Sequence, residues 1–261
     1  MSLRPYHLPE LDAGCLNAVL TERGGILLQD VLPADEVQND FEQLAFFFSS
    51  PDEFRELAYD PATRLGYTPP SVEGTVRERP SASRHFFDYR PCMTPDPLRF
   101  KALYHSSLCI SRLVLKLIDQ ASGTEVLSLH DGGEHFLRAA QYLCPESTSK
   151  DVLFPDHRDF SSLTVFVGSG SSGLQIMTRS GWENVRMNFG DLLIGVGTPL
   201  VQFCPHLKPL RHRVVGGDGG RLSATFFLEM EDGVVLPSRK ERYRSFRDRL
   251  IRLSRQDPAR A

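Results

Sequence analysis

Long apolar runs are missing from this 261-residue chain. The longest, such as Leu44–Phe48, fall far short of the roughly 20 residues a membrane helix needs. The first residues, MSLRPYHLPELDAG, lack the apolar segment of a secretory leader, so a cytoplasmic location is the expectation. Cysteine is scarce. Cys15, Cys92, Cys109, Cys144 and Cys204 are odd in number, widely scattered and without a CxxC pair, which argues against a disulfide framework and fits reduced thiols. No sign of charge dominates: 30 basic and 33 acidic residues leave a formal net charge of −3, which argues against a general nucleic-acid binder. There is one tryptophan, no internal repeat and no long low-complexity stretch. What is present is ordinary globular composition, 41% hydrophobic and 24% charged. A chain this long can bury a sizeable core without covalent support.

The texture changes along the chain. From about 8 to 60 it reads as helical with one buried strand. Asp12 is placed to cap a first helix, and Gly25-Ile26-Leu27-Leu28 is a short apolar run bounded by turn residues. Pro33 then sits near the start of a second helix with acids in its first turn, and Phe41, Leu44, Ala45 and Phe48 fall on one face. Residues 61–98, with Gly66-Tyr67-Thr68-Pro69-Pro70, read as loop. Residues 97–120 form the clearest helix, with a stripe of Phe100, Leu103, Tyr104, Leu108, Ile110, Val114, Leu117 and Ile118. From about 136 to 230 short apolar runs recur with a period near two. The strand candidates are Leu163–Val167, Leu174–Met177, Trp182–Arg186, Asp191–Val196, Val201–Phe203, Arg213–Val215 and Leu222–Leu228, a spacing that suggests an antiparallel sandwich or barrel. Residues 238–255 read as an arginine-rich amphipathic helix carrying Tyr243, Phe246, Leu250, Ile251 and Leu253.

The chemistry gathers at Pro155-Asp156-His157-Arg158-Asp159. Strand side chains alternate, so His157 and Asp159, two apart, point the same way and can reach one metal ion. A lone HxD triplet is weak evidence, but His212 lies on a later apolar strand. Two histidines and one carboxylate make the facial triad of non-heme iron(II) oxygenases, which leaves three positions open. Arg221 and Ser223 follow on one strand face, where a guanidinium can bind a carboxylate bidentately and the hydroxyl adds a donor. That pair suits the far end of 2-oxoglutarate, whose keto-acid end would chelate iron. His206 is the rival to His212, although it sits in a proline-flanked loop. His130-Asp131 does not alternate and precedes Gly132-Gly133, so it reads as a turn. His7, His85, His105 and His135 read mostly as surface or locally bonded histidines. Cys204 two residues before His206 is weak evidence for zinc or for a nucleophile, and an inert thiol is the simpler reading. Trp182, Met177 and Met187 read as packing residues.

The order HRD, GWENV, FGDLLIGVG, HRVV and RLSATFF resembles the isopenicillin-N-synthase-like group of iron(II)/2-oxoglutarate dioxygenases. The resemblance extends more loosely upstream, through Gly24–Leu28, the Phe-rich helix, Gly66-Tyr67 and Phe86–Tyr89. It implies that His157, Asp159 and His212 are the iron ligands and that Arg221 and Ser223 anchor 2-oxoglutarate. Gln141-Tyr142-Leu143-Cys144-Pro145 is the nearest match to the family's tyrosine strand, which places Tyr142 near the co-substrate. Phe203-Cys204-Pro205-His206 departs from the family's usual small polar stretch, and the chain is short for the family.

The fold so implied is mainly β with flanking α: a double-stranded β-helix, or jelly roll, with N-terminal helices. Residues 1–261 are expected to form a single dioxygenase domain, with a helical N-terminal region over about 1–135, the jelly-roll core over about 136–230, and a C-terminal helix and tail over about 238–261. The implied cofactors are Fe(II), 2-oxoglutarate as co-substrate, and dioxygen. The implied function is hydroxylation, desaturation or cyclisation of a small molecule such as an amino acid or natural-product intermediate. Asp159 fills the iron position that a halide would need, which argues against halogenation. The alternatives are a same-fold iron oxidase that uses no 2-oxoglutarate and, ranked lowest, a non-catalytic jelly-roll binding protein. Arg84, Phe86, Tyr89, Arg158 and Lys208 are candidate pocket residues by position. Several are cationic, so a carboxylate-bearing substrate is preferred. No nucleic-acid, membrane or obligate protein partner is expected.

Overall fold

The computed structural model describes residues 4–50, 57–60, 62–69, 84–91, 93, 94, 96, 100–143, 152–216 and 221–256, with backbone alone described over 251–256. Pro70, Cys92, Cys144, Pro145, the side chains of Ile251 and Leu253, and the tail beyond 256 lie outside the described residues.

Local chemistry sets the helix ends. Helix α1 (Ala13–Arg23) begins where Asp12 accepts the Cys15 N–H at 2.7 Å, which satisfies an otherwise orphaned donor. It stops at Gly24, whose φ of 74° suits glycine and where a Cβ would meet Lys208 O at 2.4 Å. Helix α2 (Ala34–Ser49) carries Asp35 and Glu36 in its first turn, favourable against the helix dipole. It buries Val37, Phe41, Leu44, Phe47 and Phe48. Ala45 is exposed because it falls just past the edge of a stripe that turns the other way to take in Phe47. Asp96 caps helix α3 (Phe100–Ser122) by accepting from the N–H groups of Phe100 and Lys101 at 2.7 and 3.1 Å. Helix α4 (Tyr243–Gln256) closes the described chain. Among the described residues no helix is long and apolar enough to cross a membrane.

The strands are β1 (Pro5–His7), β2 (Gly25–Gln29), β3 (Gly66–Thr68), β4 (Arg84–Tyr89), β5 (Phe136–Tyr142), β6 (Val152–His157), β7 (Leu163–Val167), β8 (Leu174–Thr178), β9 (Gly181–Asn184), β10 (Leu192–Val196), β11 (His212–Val215) and β12 (Arg221–Leu228). They are followed by the short pair β13 (Val235–Leu236) and β14 (Glu241–Arg242). An eight-stranded sheet runs β1-β2-β10-β7-β12-β5-β4-β3, and a four-stranded sheet runs β6-β11-β8-β9. This is the jelly roll that the motif order implies. Alternation gives the large sheet two characters. One face, with Phe87, Tyr89, Leu137, Ala139, Val165, Ile194, Ala224 and Phe226, joins α1, α2 and α3 in the main core. The other face turns toward the small sheet. Leu27, Phe166 and Leu193 pack there against Leu174 and Ile176, and Phe86, Ala140 and Tyr142 pack against Leu153 and Val214.

Two expectations need correction. The region before residue 136 supplies four strands to the large sheet, not one, and β3 and β4 lie where a loop was expected. In β4 the inward positions hold Arg84 and Asp88, so polar residues occupy an interior face and mask the alternation. The stretch Val201–Phe203 is not a strand. Leu200–Gln202 forms a 3-10 turn, with Gln202 N–H on Pro199 O and Phe203 N–H on Leu200 O, both at 3.0 Å. Three apolar residues between two prolines carry too little periodicity to separate strand from turn.

His130 and His135 are buried: of the two readings, surface or locally bonded, His130 fits the second and His135 neither. His130 Nδ1 donates to Val126 O at 2.8 Å, and His135 Nδ1 accepts from the Glu229 N–H at 3.1 Å. Burial pushes both imidazoles down to about 4. An unfolded histidine titrates near 6.5, so between those values the unfolded chain binds more protons than the folded one. Stability is therefore expected to fall as pH drops from about 6.5 to about 4, by roughly 3 kcal/mol per histidine. Urea denaturation across this window checks it. His212 is pushed down over the same window, so His135→Gln should remove about a third of the loss, and an unchanged pH slope in that variant would contradict the assignment.

Candidate metal centre

His157 ends β6 and His212 begins β11, and the antiparallel register sets the two directly opposite each other. Their rings lie 4.2 Å apart between centroids. Asp159, two residues past His157, turns its carboxylate between them: Oδ1 is 3.4 Å from His157 Nε2 and Oδ2 is 3.8 Å from His212 Nε2. One donor atom from each of the three residues lies within 4.8 Å of the others. His206 takes no part. Its Nε2 bonds Asn17 Oδ1 at 2.8 Å and Ser122 Oγ at 3.1 Å on the exposed surface.

The surroundings orient each donor. His157 Nδ1 lies 2.9 Å from Pro155 O and His212 Nδ1 lies 3.4 Å from Leu210 O. A carbonyl only accepts, so each Nδ1 carries the proton and each Nε2 lone pair faces inward. Thr164 Oγ1 donates to Asp159 Oδ2 at 2.6 Å. The backbone behind is close-packed: Thr198 N–H bonds Asp159 O at 3.0 Å, and a Cβ on Gly197 would lie 1.7 Å from Ser161 O. Burial alone would raise the Asp159 carboxyl. His212, His157 and the Thr164 hydroxyl outweigh it and hold that carboxyl well below the usual range. Burial pushes His212 down to about 4, against the upward pull of Asp159. At neutral pH Asp159 is a carboxylate and His212 a neutral imidazole, the forms that metal binding requires. Phe154 stands edge-on to His157 at 4.8 Å and Phe166 edge-on to His212 at 5.0 Å.

Arg221 and Ser223 face inward on β12. Register aligns Arg221 with Tyr142 and Arg84, and Ser223 with Ala140 and Phe86. Arg221 is only 7% exposed. Its Nε donates to Ser172 O at 3.1 Å, its guanidinium sits 5.8 Å from the Tyr142 ring centre, and no carboxylate among the described residues pairs with it. Burial pushes its pKa down. A buried guanidinium without a counter-ion is costly, so the position calls for an anion. A cleft of about 360 Å³ opens beside Arg221, with Gln38, Phe41, Gln141, Ser169 and Phe189 in its walls and none of the triad.

The other pocket candidates separate. Arg84 is 5% exposed, donates to Tyr142 Oη at 3.3 Å and lies 4.0 Å over the Phe154 ring. Phe86 is buried on the same inner face. Tyr89 is not in the pocket. It packs in the helix-side core, 5.7 Å from Phe100, because strand alternation turns it away from Arg84 and Phe86. Arg158 and Lys208 are exposed, and Lys208 N–H reaches Leu20 O beside α1. Cys204 is fully buried 3.9 Å from Thr124 Oγ1, and burial pushes its thiol up, so it is the inert residue expected. Two features had no signal in the sequence: the Thr164 bond to Asp159, and Arg138, which donates to both Asp88 oxygens at 2.7 Å under the Phe86 ring.

Residues 81–230, which include the triad, Tyr142, Arg221 and Ser223, match the model of the 2OG-Fe(II) oxygenase superfamily. The chain belongs to this superfamily. An 88-residue stretch, 32% of this chain, is 33% identical to isopenicillin N synthase of Streptomyces clavuligerus and spans 27% of that protein. The isopenicillin N synthase of Streptomyces jumonjinensis is 31% identical over 96 residues, 35% of this chain and 29% of that one. The match thus covers well under half of these curated relatives. A protein of Shewanella oneidensis shares the fold over 97% of this chain and 99% of its own, with a TM-score of 0.82 and 22% identity. The rice dioxygenase for auxin oxidation does so over 97% and 95%, with a TM-score of 0.78 and 17% identity. Neurospora crassa T7H, solved with alpha-KG, does so over 86% and 81%, with a TM-score of 0.70 and 18% identity. The superfamily's cofactors fit the residues present. Three N and O donors lie within 4.8 Å of one another, and the buried cation of Arg221, paired with no carboxylate among the described residues, lies on the inner face of the large sheet.

Proposed function

We propose that this protein is an iron(II)- and 2-oxoglutarate-dependent dioxygenase acting on a small molecule, in which His157, Asp159 and His212 hold the metal and Arg221 and Ser223 hold the co-substrate. The observation that carries this reading is the pairing of a two-imidazole, single-carboxylate triad with the buried guanidinium of Arg221, which no carboxylate among the described residues pairs, between the same two sheets. When bound, iron(II) supplies the centre at which dioxygen is reduced, with 2-oxoglutarate leaving as succinate and carbon dioxide.

The chain's own residues do the rest. The triad takes up one face of the metal and leaves the opposite face to ligands. Arg221 offers a planar fork to the distal carboxylate, Ser223 adds a hydroxyl on the same strand face, and the Tyr142 ring lies beside the guanidinium. Phe154 and Phe166 wall the two imidazoles and exclude water, which strengthens the polar contacts inside. Arg84 adds cationic character to the inner face, which supports a carboxylate-bearing substrate, whereas Arg138 is already paired with Asp88. The reaction class is hydroxylation, desaturation or cyclisation. The whole chain is read as one catalytic domain.

A same-fold iron oxidase without 2-oxoglutarate is the second reading, favoured by the local match to isopenicillin N synthase. In it Arg221 would take a carboxylate of the substrate itself. Aerobic incubation with Fe(II), ascorbate and 2-oxoglutarate decides. Iron-dependent succinate formation, raised by a true substrate, is expected. Substrate oxidation with no loss of 2-oxoglutarate would establish the oxidase instead.

A further inference from the structure

The turn that carries Asp159 is pinned on three sides by backbone: Thr198 N–H on Asp159 O at 3.0 Å, Gly197 N–H on Ser162 O at 2.8 Å, and Ser162 N–H on Leu228 O at 2.8 Å. Between them lies the carbonyl of Phe160, next to Asp159. Among the described residues its one hydrogen bond comes from Tyr243 Oη at 3.0 Å, from a side chain 83 positions away at the start of α4. Tyr243 is fully buried with Met230, Leu236 and Phe246.

We propose that Tyr243 is a positioning residue for the metal centre, its hydroxyl fixing the Phe160 carbonyl and with it the turn that presents Asp159. This rests on the metal reading above.

A buried network supports the hydroxyl. Tyr243 Oη also meets Glu229 Oε2, and Glu229 is contacted by Arg247 at 3.4 Å. Arg247 in turn reaches Glu134 at 3.2 Å and Asp232 at 3.4 Å. The phenolic hydroxyl is thus placed as donor to both Phe160 O and Glu229 Oε2. Burial pushes the Glu229 carboxyl up, against the pull of Arg247 and the Tyr243 bond, toward the neutral form. Arg247 Nη1 holds Glu229 Oε2 from the other side at 3.4 Å. The C-terminal helix thereby reaches the metal turn through the Tyr243 hydroxyl, while Phe246 packs with Met230 and Leu236.

Cobalt(II) titration of the full chain without 2-oxoglutarate, followed by d–d absorption, tests this independently of turnover. Tyr243→Phe keeps the ring and removes one oxygen. Its cobalt dissociation constant is expected to rise about tenfold or more, the usual cost of losing a group that orients a ligand, with an altered d–d envelope. Phe246→Leu loosens the same helix without touching Phe160, so it should lower Tm and leave the constant within about twofold. Glu229→Gln, whose amide oxygen still accepts from Tyr243 Oη, should also bind cobalt as the parent does. The proposal is overturned if Tyr243→Phe binds like the parent, or if either Phe246→Leu or Glu229→Gln weakens binding as much. If Tyr243→Phe does not fold, the other two variants decide. The metal reading is judged separately by the parent protein and His212→Ala. A parent that binds no cobalt removes the metal centre and this role with it.

Discussion

Asp159→Ala is expected to abolish iron(II) binding and all turnover. The carboxylate is the one charged donor of the trio, held ionised by two imidazoles and the Thr164 hydroxyl although it is buried. Without it the site keeps two imidazoles and no anionic donor to offset the desolvation of a divalent cation. The loss should exceed the roughly 10–100-fold that follows removal of a mere orienting partner. His157→Ala and His212→Ala should each lose binding as well, since two donors cannot cap one face of the metal. His206→Ala serves as the control. Its imidazole is engaged with Asn17 and Ser122 on the surface, so iron affinity should stay nearly intact. Equilibrium dialysis against iron(II) under argon measures all four. Loss of iron in His206→Ala together with retention in His212→Ala would invert the ligand assignment.

The triad was legible because its chemistry is sparse. A histidine and a carboxylate two apart, and a second histidine on a later apolar strand, are enough to bring three donors together once the strands pair, and register places His157 against His212. Arg221 and Ser223 were legible for the same reason, two positions apart on one strand. The core strands β7, β10 and β12 were visible as apolar runs because one or both faces are buried. Strand β4 was not, since Arg84 and Asp88 occupy its inward positions and Phe87 and Tyr89 its helix-facing ones, so both faces carry buried residues. The burial of His130 and His135 was not legible, because their partners are backbone atoms, Val126 O and the Glu229 N–H, and sequence spacing does not show those. The Tyr243 bond to Phe160 spans 83 positions, and no local pattern encodes it.

Arg221→Ala should raise the apparent dissociation constant for 2-oxoglutarate by tenfold or more and leave iron affinity largely unchanged. Each hydrogen bond to a charged group contributes roughly 1.5–3 kcal/mol, and tenfold in affinity is about 1.4 kcal/mol, so even one lost contact reaches that factor. Two effects push it higher. The fork is bidentate, and the carboxylate left behind would be buried between two sheets without its partner. Arg221→Lys should recover only part of the loss, because an ammonium is a point charge and cannot match the planar carboxylate. The metal site should be spared, since no triad atom bonds Arg221: its Nε is held by Ser172 O. An unchanged constant in Arg221→Ala would move the reading to the oxidase that works without 2-oxoglutarate.

The most direct test is an anaerobic titration of 2-oxoglutarate into the iron(II)-loaded protein, followed in the visible spectrum. Chelation of the metal by the keto-acid end should produce a metal-to-ligand charge-transfer band that saturates at one equivalent, needs both iron and 2-oxoglutarate, and is absent in Asp159→Ala. Iron bound tightly with no such band at any 2-oxoglutarate concentration would contradict the assignment of this site to an iron- and 2-oxoglutarate-dependent oxygenase.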